Sequence, residues 1–299
     1  MARWDRGGGN TIPDWFFAAV ETPYEERTVE VDECDVAYQL WGGGAADERG
    51  LLFIHGMNAH AHWWDFIAPH FLPRYRCAAM NLTGMGDSDY RYQYDGTTYA
   101  EEIRAVCDDA GFGNDVVVVA HSFGGNMAVK AAGLFPERFG ALVLVDSGIR
   151  HPDEPVPDRP PMGGRGKVYP DKAAALGRFR LQPPQPCENQ YILEYIARHS
   201  LMPVDGGGWA WKFDDDLPDS LKNVERTPDD YRALRLPLGV IYGADSELFS
   251  ARTLEYLREL VPQDFPAVAI ENAQHHVFLD QPLAFVEALD RMLDTLTAS

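Results

Sequence analysis

Short apolar runs of strand length alternate along this 299-residue chain with longer segments of helical periodicity. An opening β-hairpin is predicted at 27–33 and 35–42, and further strands at 50–56, 75–82, 115–122, 140–147, 237–244 and 267–273. Helices are predicted at 62–72, 97–112, 123–135, 251–261 and 282–296. Parallel strands need crossover connections, and such alternation is typical of a mostly parallel sheet with helices on both faces. The sequence therefore predicts an α/β fold around an eight-stranded sheet.

The alternation stops between residues 148 and 235, where Pro, Gly, Asp and aromatic residues dominate. Residues 152–170 are too rich in Pro and Gly for regular structure, whereas 171–181, 188–201 and 227–236 have helical patterns. An insertion of this length between two core strands predicts a helical lid over the carboxyl edge of the sheet, where open α/β folds bind ligands. We therefore expect a core from residues 1–147 and 236–299 and a cap from 148–235. The alternative is a small domain unrelated to the site.

Composition narrows the classes of partner. The chain has 46 acidic and 26 basic residues and a net charge of -20, which makes nucleic acid a poor partner. Without a long apolar run or a secretory leader, the sequence predicts a cytoplasmic protein with no membrane span, either a monomer or a homodimer. The cysteines show no C-x-x-C spacing, so neither a disulfide nor a zinc site is expected; they are Cys34, Cys77, Cys107 and Cys187.

The strongest chemical signal is the segment 116–125, in which an apolar strand leads directly into Ser122 and then into a helix that begins with small residues. A strand-to-helix turn that exposes a hydroxyl needs a strained backbone and small residues two positions before and after it. Ala120 and Gly124 meet that need. The N–H groups at the start of the helix also favour developing negative charge. The segment therefore predicts a nucleophile elbow with Ser122 as the nucleophile.

In these features the chain resembles α/β-hydrolases that carry a helical cap, and the resemblance covers residues 27–298. The family usually has glycine where this chain has Ala120. Residues 51–58 are similar to the family's His-Gly loop, and residues 81–89 are similar to its Gly-rich loop after the fourth strand. The resemblance implies an oxyanion hole formed by the amides of Met57 and Phe123. It implies no cofactor and no metal.

The resemblance also places a histidine base near the C-terminus, after the acid. His275 matches the family's position because Asp280-Gln-Pro follows it at the usual spacing, although Gln274 replaces a common glycine. His276 is the competing candidate.

The acid that orients this base is open to more than one interpretation, because two carboxylates follow the predicted strand at 237–244. Glu247 is favoured because family members with Ser-Asp-Leu-Leu-Ser at this place carry the acid directly after the serine. Asp245 is the second choice. Asp146, which follows the strand at 140–147, is the third.

A serine at the elbow disfavours the haloalkane dehalogenases and epoxide hydrolases of this fold, which resemble the chain elsewhere but use aspartate. The resemblance implies hydrolysis of a carboxylic ester or thioester with an apolar acyl part, through an acyl-enzyme on Ser122. Alternatives are a C–C bond hydrolase, a cofactor-free perhydrolase, and a small-molecule receptor built on the same fold. Five further residues are predicted to contact the substrate: Trp63, Trp64, His121, Phe249 and Arg178.

Overall fold

The structure is a computed structural model that describes residues 12–42, 48–155 and 167–298. Its strands are β1 Glu25–Val31, β2 Cys34–Trp41, β3 Arg49–Ile54, β4 Tyr75–Met80, β5 Tyr94–Asp95, β6 Val116–His121, β7 Phe139–Val145, β8 Leu201–Pro203, β9 Trp209–Trp211, β10 Leu221–Lys222, β11 Leu238–Gly243 and β12 Ala267–Ile270. Its α-helices are α1 Asp14–Val20, α2 Gly96–Asp109, α3 Phe123–Leu134, α4 Lys172–Leu176, α5 Gln190–His199, α6 Leu217–Ser220, α7 Pro228–Arg232, α8 Ala251–Leu260, α9 Val277–Asp280 and α10 Pro282–Thr297.

Eight of these strands form one sheet in the order β1-β2-β4-β3-β6-β7-β11-β12. β2 runs antiparallel to both of its neighbours, β1 and β4. Every pair from β4 to β12 is parallel. The predicted fold class is therefore confirmed, including the opening hairpin.

The sheet is buried on both faces, which explains the nearly continuous apolar runs of its central strands. In β6, Val116 and Val118 belong to one apolar cluster, whereas Val117 and Val119 belong to another. Residues of α2, α3 and α8 complete the first cluster, and residues of α1 and α10 complete the second. Because successive side chains of a strand point to opposite faces, a strand covered on both sides is apolar at every position.

Three predicted helices differ from the structure, and the one predicted at 227–236 is shortened to α7. Residues 62–72 form two short 3-10 helices, Ala61–Trp64 and Ala68–Phe71, instead of one α-helix. Pro69 accounts for the break, because its ring would clash with the preceding turn and it has no N–H to donate. The helix predicted at 171–181 is restricted to α4, and Gly177 follows its last residue.

The described part of residues 148–235 contains α4 to α7 and the short strands β8, β9 and β10. β8 pairs with β9, and β10 pairs with β5, which lies outside the insertion. The insertion is also fastened to the loop after β4, because the Gly86 amide donates to the Lys212 carbonyl at 2.8 Å. Part of the segment predicted to be irregular, 156–166, lies outside the described residues. The division into a core and a cap stays a prediction.

The cysteines are free thiols, and Cys77, Cys107 and Cys187 are buried. Burial raises the pKa of the Cys187 thiol to about 11 and that of Cys107 to about 12. They therefore act as small apolar side chains rather than as nucleophiles. Within the described ranges, no helix combines the length and the apolar character that crossing a bilayer requires.

Gly124 and Gly133 lie in the same helix, α3, and provide a matched test of the close approach at the elbow. A Cβ atom on Gly124 would lie 2.4 Å from the His55 carbonyl oxygen, whereas a Cβ on Gly133 would meet nothing within 4 Å. We expect Gly124→Ala to lower the free energy of unfolding by roughly 1–3 kcal/mol, measured by urea denaturation. Gly133→Ala should leave it unchanged or raise it by up to about 1 kcal/mol. Equal effects would contradict the close approach.

Candidate active site

Ser122 lies at the turn between β6 and α3 with φ +52° and ψ -115°. This is a conformation that residues with a side chain rarely adopt. Two hydrogen bonds hold it in place: the Ser122 amide donates to the Val145 carbonyl at 3.1 Å, and the Ser147 hydroxyl donates to the Ser122 carbonyl at 2.8 Å. The backbone at Ser122 therefore has the strained strand-to-helix geometry that the sequence predicts.

The imidazole of His275 lies between Ser122 and Asp146. Its Nε2 is 2.9 Å from Ser122 Oγ, and its Nδ1 is 2.7 Å from Asp146 Oδ1. A carboxylate at Nδ1 keeps the proton on that nitrogen and directs the lone pair of Nε2 toward the hydroxyl. The structure thus brings the predicted serine and histidine together, with an acid behind the histidine.

That acid is Asp146, so the prediction of Glu247, with Asp245 as second choice, is wrong. Asp146 follows β7 and is 3% exposed, whereas Asp245 and Glu247 are both exposed on the loop after β11. The residue between those two points inward instead: the Ser246 hydroxyl donates to Asp146 Oδ1 at 2.8 Å. Asp245 and Glu247 therefore lie on the solvent side of this loop.

The environment of Asp146 combines desolvation with directed hydrogen bonds. Burial raises the pKa of its carboxyl group to about 7. The Gly243 amide, which donates to Oδ2 at 3.0 Å, and the Ser246 hydroxyl oppose that shift because they stabilise the carboxylate. The sequence signal for Asp146 was its place directly after an apolar strand, the next strand along the chain after the one that carries Ser122.

Met57 and Phe123, the predicted oxyanion residues, line one cavity of about 150 Å³ together with Ser122 and His275. Phe123 is the first residue of α3, so its amide has no partner within the helix. In the described part of the chain, neither the Met57 amide nor the Phe123 amide donates to another group. Both remain available to an oxygen bound in this cavity.

His55 orients one of these amides, a role that sequence reasoning missed. Its Nε2 accepts a hydrogen bond from the Leu82 amide at 3.1 Å, so its Nδ1 carries the proton and donates to the Gly56 carbonyl at 2.7 Å. The Gly56 carbonyl and the Met57 N–H belong to one planar peptide group and point in opposite directions. Burial lowers the pKa of His55 to about 4, which keeps the ring neutral. The sequence signal for this role of His55 was the His55-Gly56 pair in the loop after β3.

The loop that carries His275 is held from two sides. His121 Nε2 donates to the His275 carbonyl at 3.0 Å. Asp280 Oδ2 accepts from the Gln274 amide and from Gln185 Nε2, both at 2.8 Å. Because Gln185 belongs to the insertion, the loop of the base and the insertion are fixed to the same carboxylate.

A second cavity, of about 510 Å³, adjoins the first and shares Met57, Trp63 and Gln182 with it. Among the residues predicted to contact substrate, Trp63 lines both cavities, His121 lines the smaller one and Arg178 lines the larger one. The larger cavity has three further cations in its lining: Lys167, Arg180 and Lys212.

Two of the predicted substrate contacts are core residues instead. Trp64 is fully buried and stacks on Phe278, with 4.4 Å between ring centroids. Phe249 is 2% exposed and packs against Tyr242 at 4.7 Å. Neither lines the two cavities, because both rings point into the apolar clusters that cover the sheet.

The described residues contain another serine-histidine pair, His60 and Ser200, with 2.8 Å between Nε2 and Oγ. The Ser200 hydroxyl donates to the Ile196 carbonyl at 2.8 Å, so His60 Nε2 must be the donor in the pair. His60 Nδ1 has no hydrogen-bond partner. A histidine that donates to the serine and has no acid behind it cannot activate that serine, which distinguishes this pair from Ser122 and His275.

The model of a protein family described as the alpha/beta hydrolase fold matches residues 51–282, which is most of the chain. This chain belongs to the α/β-hydrolase family. The match includes the elbow, the acid after β7 and the histidine loop, and it makes the chain a hydrolase.

The α/β-hydrolase is similar to Esterase Rv0045c of Mycobacterium tuberculosis, with 27% identity over 272 residues that cover 85% of each protein. Lipase LipV of the same organism is 36% identical over 106 residues, 36% of this chain and 40% of that protein. Among solved structures, E-2-(acetamidomethylene)succinate hydrolase has a TM-score of 0.73 at 20% identity, over 91% of this chain and 100% of that one. This structural likeness supports the fold.

Variants of Asp146 and Glu247 test which of these two carboxylates is the acid that orients His275. In Asp146→Asn an amide NH₂ group facing Nδ1 favours the wrong tautomer of His275, and we expect labelling by a fluorophosphonate probe to slow by roughly 10³- to 10⁴-fold. Glu247→Gln is the matched control on the exposed loop, and its labelling rate should equal that of the wild type. Thermal unfolding of both variants checks their folding. Slow labelling of Glu247→Gln alone would contradict the assignment of Asp146.

Proposed function

We propose that this α/β-hydrolase cleaves carboxylic esters through a covalent acyl-enzyme on Ser122. The observation that carries the proposal is the chain of hydrogen bonds from Ser122 Oγ through His275 to the buried Asp146, at 2.9 and 2.7 Å. Esterase Rv0045c and Lipase LipV support an ester as the substrate.

In the first half of the reaction, His275 Nε2 takes the proton of Ser122 while Oγ attacks the carbonyl carbon of the ester. The carbonyl oxygen becomes an oxyanion and accepts hydrogen bonds from the Met57 and Phe123 amides. The Asp146 carboxylate stabilises the imidazolium. The intermediate then collapses: the carbon-oxygen bond to the alcohol breaks, and His275 returns its proton to the leaving oxygen.

In the second half, His275 takes a proton from water, and the resulting hydroxide attacks the acyl-enzyme carbonyl. The same two amides stabilise the second oxyanion. When the bond to Ser122 breaks, His275 returns the proton to Oγ and the carboxylic acid leaves. A thioester follows the same steps with a thiol as the leaving group.

The larger cavity supports a second element of the proposal, that the substrate carries an anionic group away from the reacting carbonyl. Its lining combines aromatic rings such as Trp211 with four cations and, among the described residues, contains no Asp or Glu; Lys212 is paired with Asp87 outside the lining. Arg178 is exposed and can form paired hydrogen bonds to a carboxylate or phosphate. Trp63 connects this cavity to the one that holds Ser122.

Ser122→Ala tests the acyl-enzyme. We expect hydrolysis of p-nitrophenyl butyrate to fall by at least about 10³-fold, because the remaining oxyanion donors cannot replace the nucleophile. Intact-protein mass spectrometry after fluorophosphonate treatment should show one adduct in the wild type and none in Ser122→Ala.

Ser200→Ala is the control for this experiment, since it removes the serine of the other pair, and it should still gain one adduct. An adduct on Ser122→Ala that disappears when Ser200 is also replaced would contradict the proposal.

The anionic subsite predicts selectivity between two esters of similar length, p-nitrophenyl hydrogen glutarate and neutral p-nitrophenyl valerate. Arg178→Ala removes a charge-assisted hydrogen bond, and we expect KM for the glutarate ester to rise by about tenfold. KM for the valerate ester should not change. Arg232→Ala, an exposed arginine of α7, is the matched control. An equal rise in KM for both esters would show that Arg178 does not bind the anionic group of the substrate.

A further inference from the structure

Three imidazoles meet in the smaller cavity: His121, His275 and His276. One nitrogen of each lies within 4.8 Å of the corresponding nitrogens of the other two. The ring centroids are 4.7 Å apart for His121 and His275, 5.4 Å for His121 and His276, and 5.0 Å for His275 and His276. They come from two separate segments, the end of β6 and the loop after β12.

Two of these rings have nitrogens without a partner, although they are buried. His121 donates from Nε2 to the His275 carbonyl, so Nδ1 carries the lone pair, and Nδ1 makes no hydrogen bond. His276 is 2% exposed, and its ring lies beside the Gln182 and Pro183 carbonyls without a hydrogen bond of good geometry to either ring nitrogen. Buried polar atoms are normally satisfied, and a group of unsatisfied imidazole nitrogens around a cavity is unusual.

We propose that these three histidines form a binding site for a divalent transition-metal ion of the zinc class, and that the bound ion stops catalysis. Imidazole nitrogens bind Zn²⁺ at about 2.0–2.1 Å, so the ligand atoms must approach one another by roughly 1 Å from their present separation. Asp146, hydrogen-bonded to His275 Nδ1, supplies the carboxylate that typically orients a metal-binding histidine.

Inhibition follows from the use of one lone pair for two purposes. Nε2 of His275, 2.9 Å from Ser122 Oγ, is the nitrogen that accepts the proton in the proposed reaction. A metal ion on Nε2 occupies that lone pair, so the hydroxyl cannot be deprotonated. This consequence rests on the proposed function, whereas the binding of the metal does not.

The other group of neighbouring histidines, His62 and His199, is less suited to a metal. Their rings are 4.2 Å apart, but His62 Nδ1 is bonded to Asp65 and His199 Nδ1 donates to the Tyr195 carbonyl. Among the described residues, the remaining nitrogens of His62 and His199 have no third histidine, cysteine or carboxylate close enough to complete a metal site. The cluster of His121, His275 and His276 is therefore better suited to bind a metal ion.

The test measures binding and inhibition separately. Isothermal titration of the Ser122→Ala protein with ZnCl₂ should show one site, since the variant keeps all three imidazoles and cannot turn over substrate. His276→Phe keeps a ring of similar size and removes both nitrogens, and we expect it to weaken Zn²⁺ binding by at least tenfold. His70→Ala, at an exposed histidine outside the cavity, is the control and should bind as the parent does.

In the wild type, ZnCl₂ should inhibit the hydrolysis of p-nitrophenyl butyrate, EDTA should restore it, and MgCl₂ should have no effect. No binding to Ser122→Ala, or equal binding to His276→Phe and its parent, overturns the site. Circular dichroism of His276→Phe shows that a loss of binding is not unfolding. Binding of one Zn²⁺ with full activity overturns the inhibitory part, and binding to a protein that hydrolyses no ester overturns the proposed function while the site stands.

Discussion

The buried hydrogen bond between Asp146 and His275 is the interaction on which the site depends. It joins the end of β7 to the loop after β12, and it acts on Ser122 at the end of β6. Because β6 and β7 are neighbouring parallel strands, the serine and the aspartate leave the sheet at the same edge. A strand order that placed another strand between β6 and β7 would separate Ser122 from Asp146.

Further hydrogen bonds position the groups around this interaction. His55 fixes one peptide group of the oxyanion loop, and His121 fixes the carbonyl of the base. Asp280 fixes the amide before the base and a glutamine of the insertion. The contact of His121 with His275 and that of Asp280 with Gln185 join segments far apart in the sequence, so the geometry around Ser122 depends on more than one loop.

Sequence reasoning succeeded where the constraint is local. The strands could be predicted because a strand covered on both faces is apolar throughout, and the elbow because the strain at Ser122 demands small neighbours. The acid could not be assigned in this way. Loops after β7 and β11 both lie at the active edge, and only the tertiary structure shows that Ser246, not Glu247, points inward. Trp64 illustrates the same limit, since an aromatic ring beside the oxyanion loop serves equally well in a pocket or in the core.

Charge is distributed around the site in a way that composition does not anticipate. The chain has 46 acidic and 26 basic residues, yet the described lining of the larger cavity contains four basic residues and no acidic ones. Repulsion between an anion and distant surface charges is screened over about 8–10 Å at physiological ionic strength. Attraction to a guanidinium within about 4 Å is not screened in this way and is therefore stronger. The cations in this lining are therefore the observation behind the proposed anionic subsite, and the net charge of the chain does not argue against it.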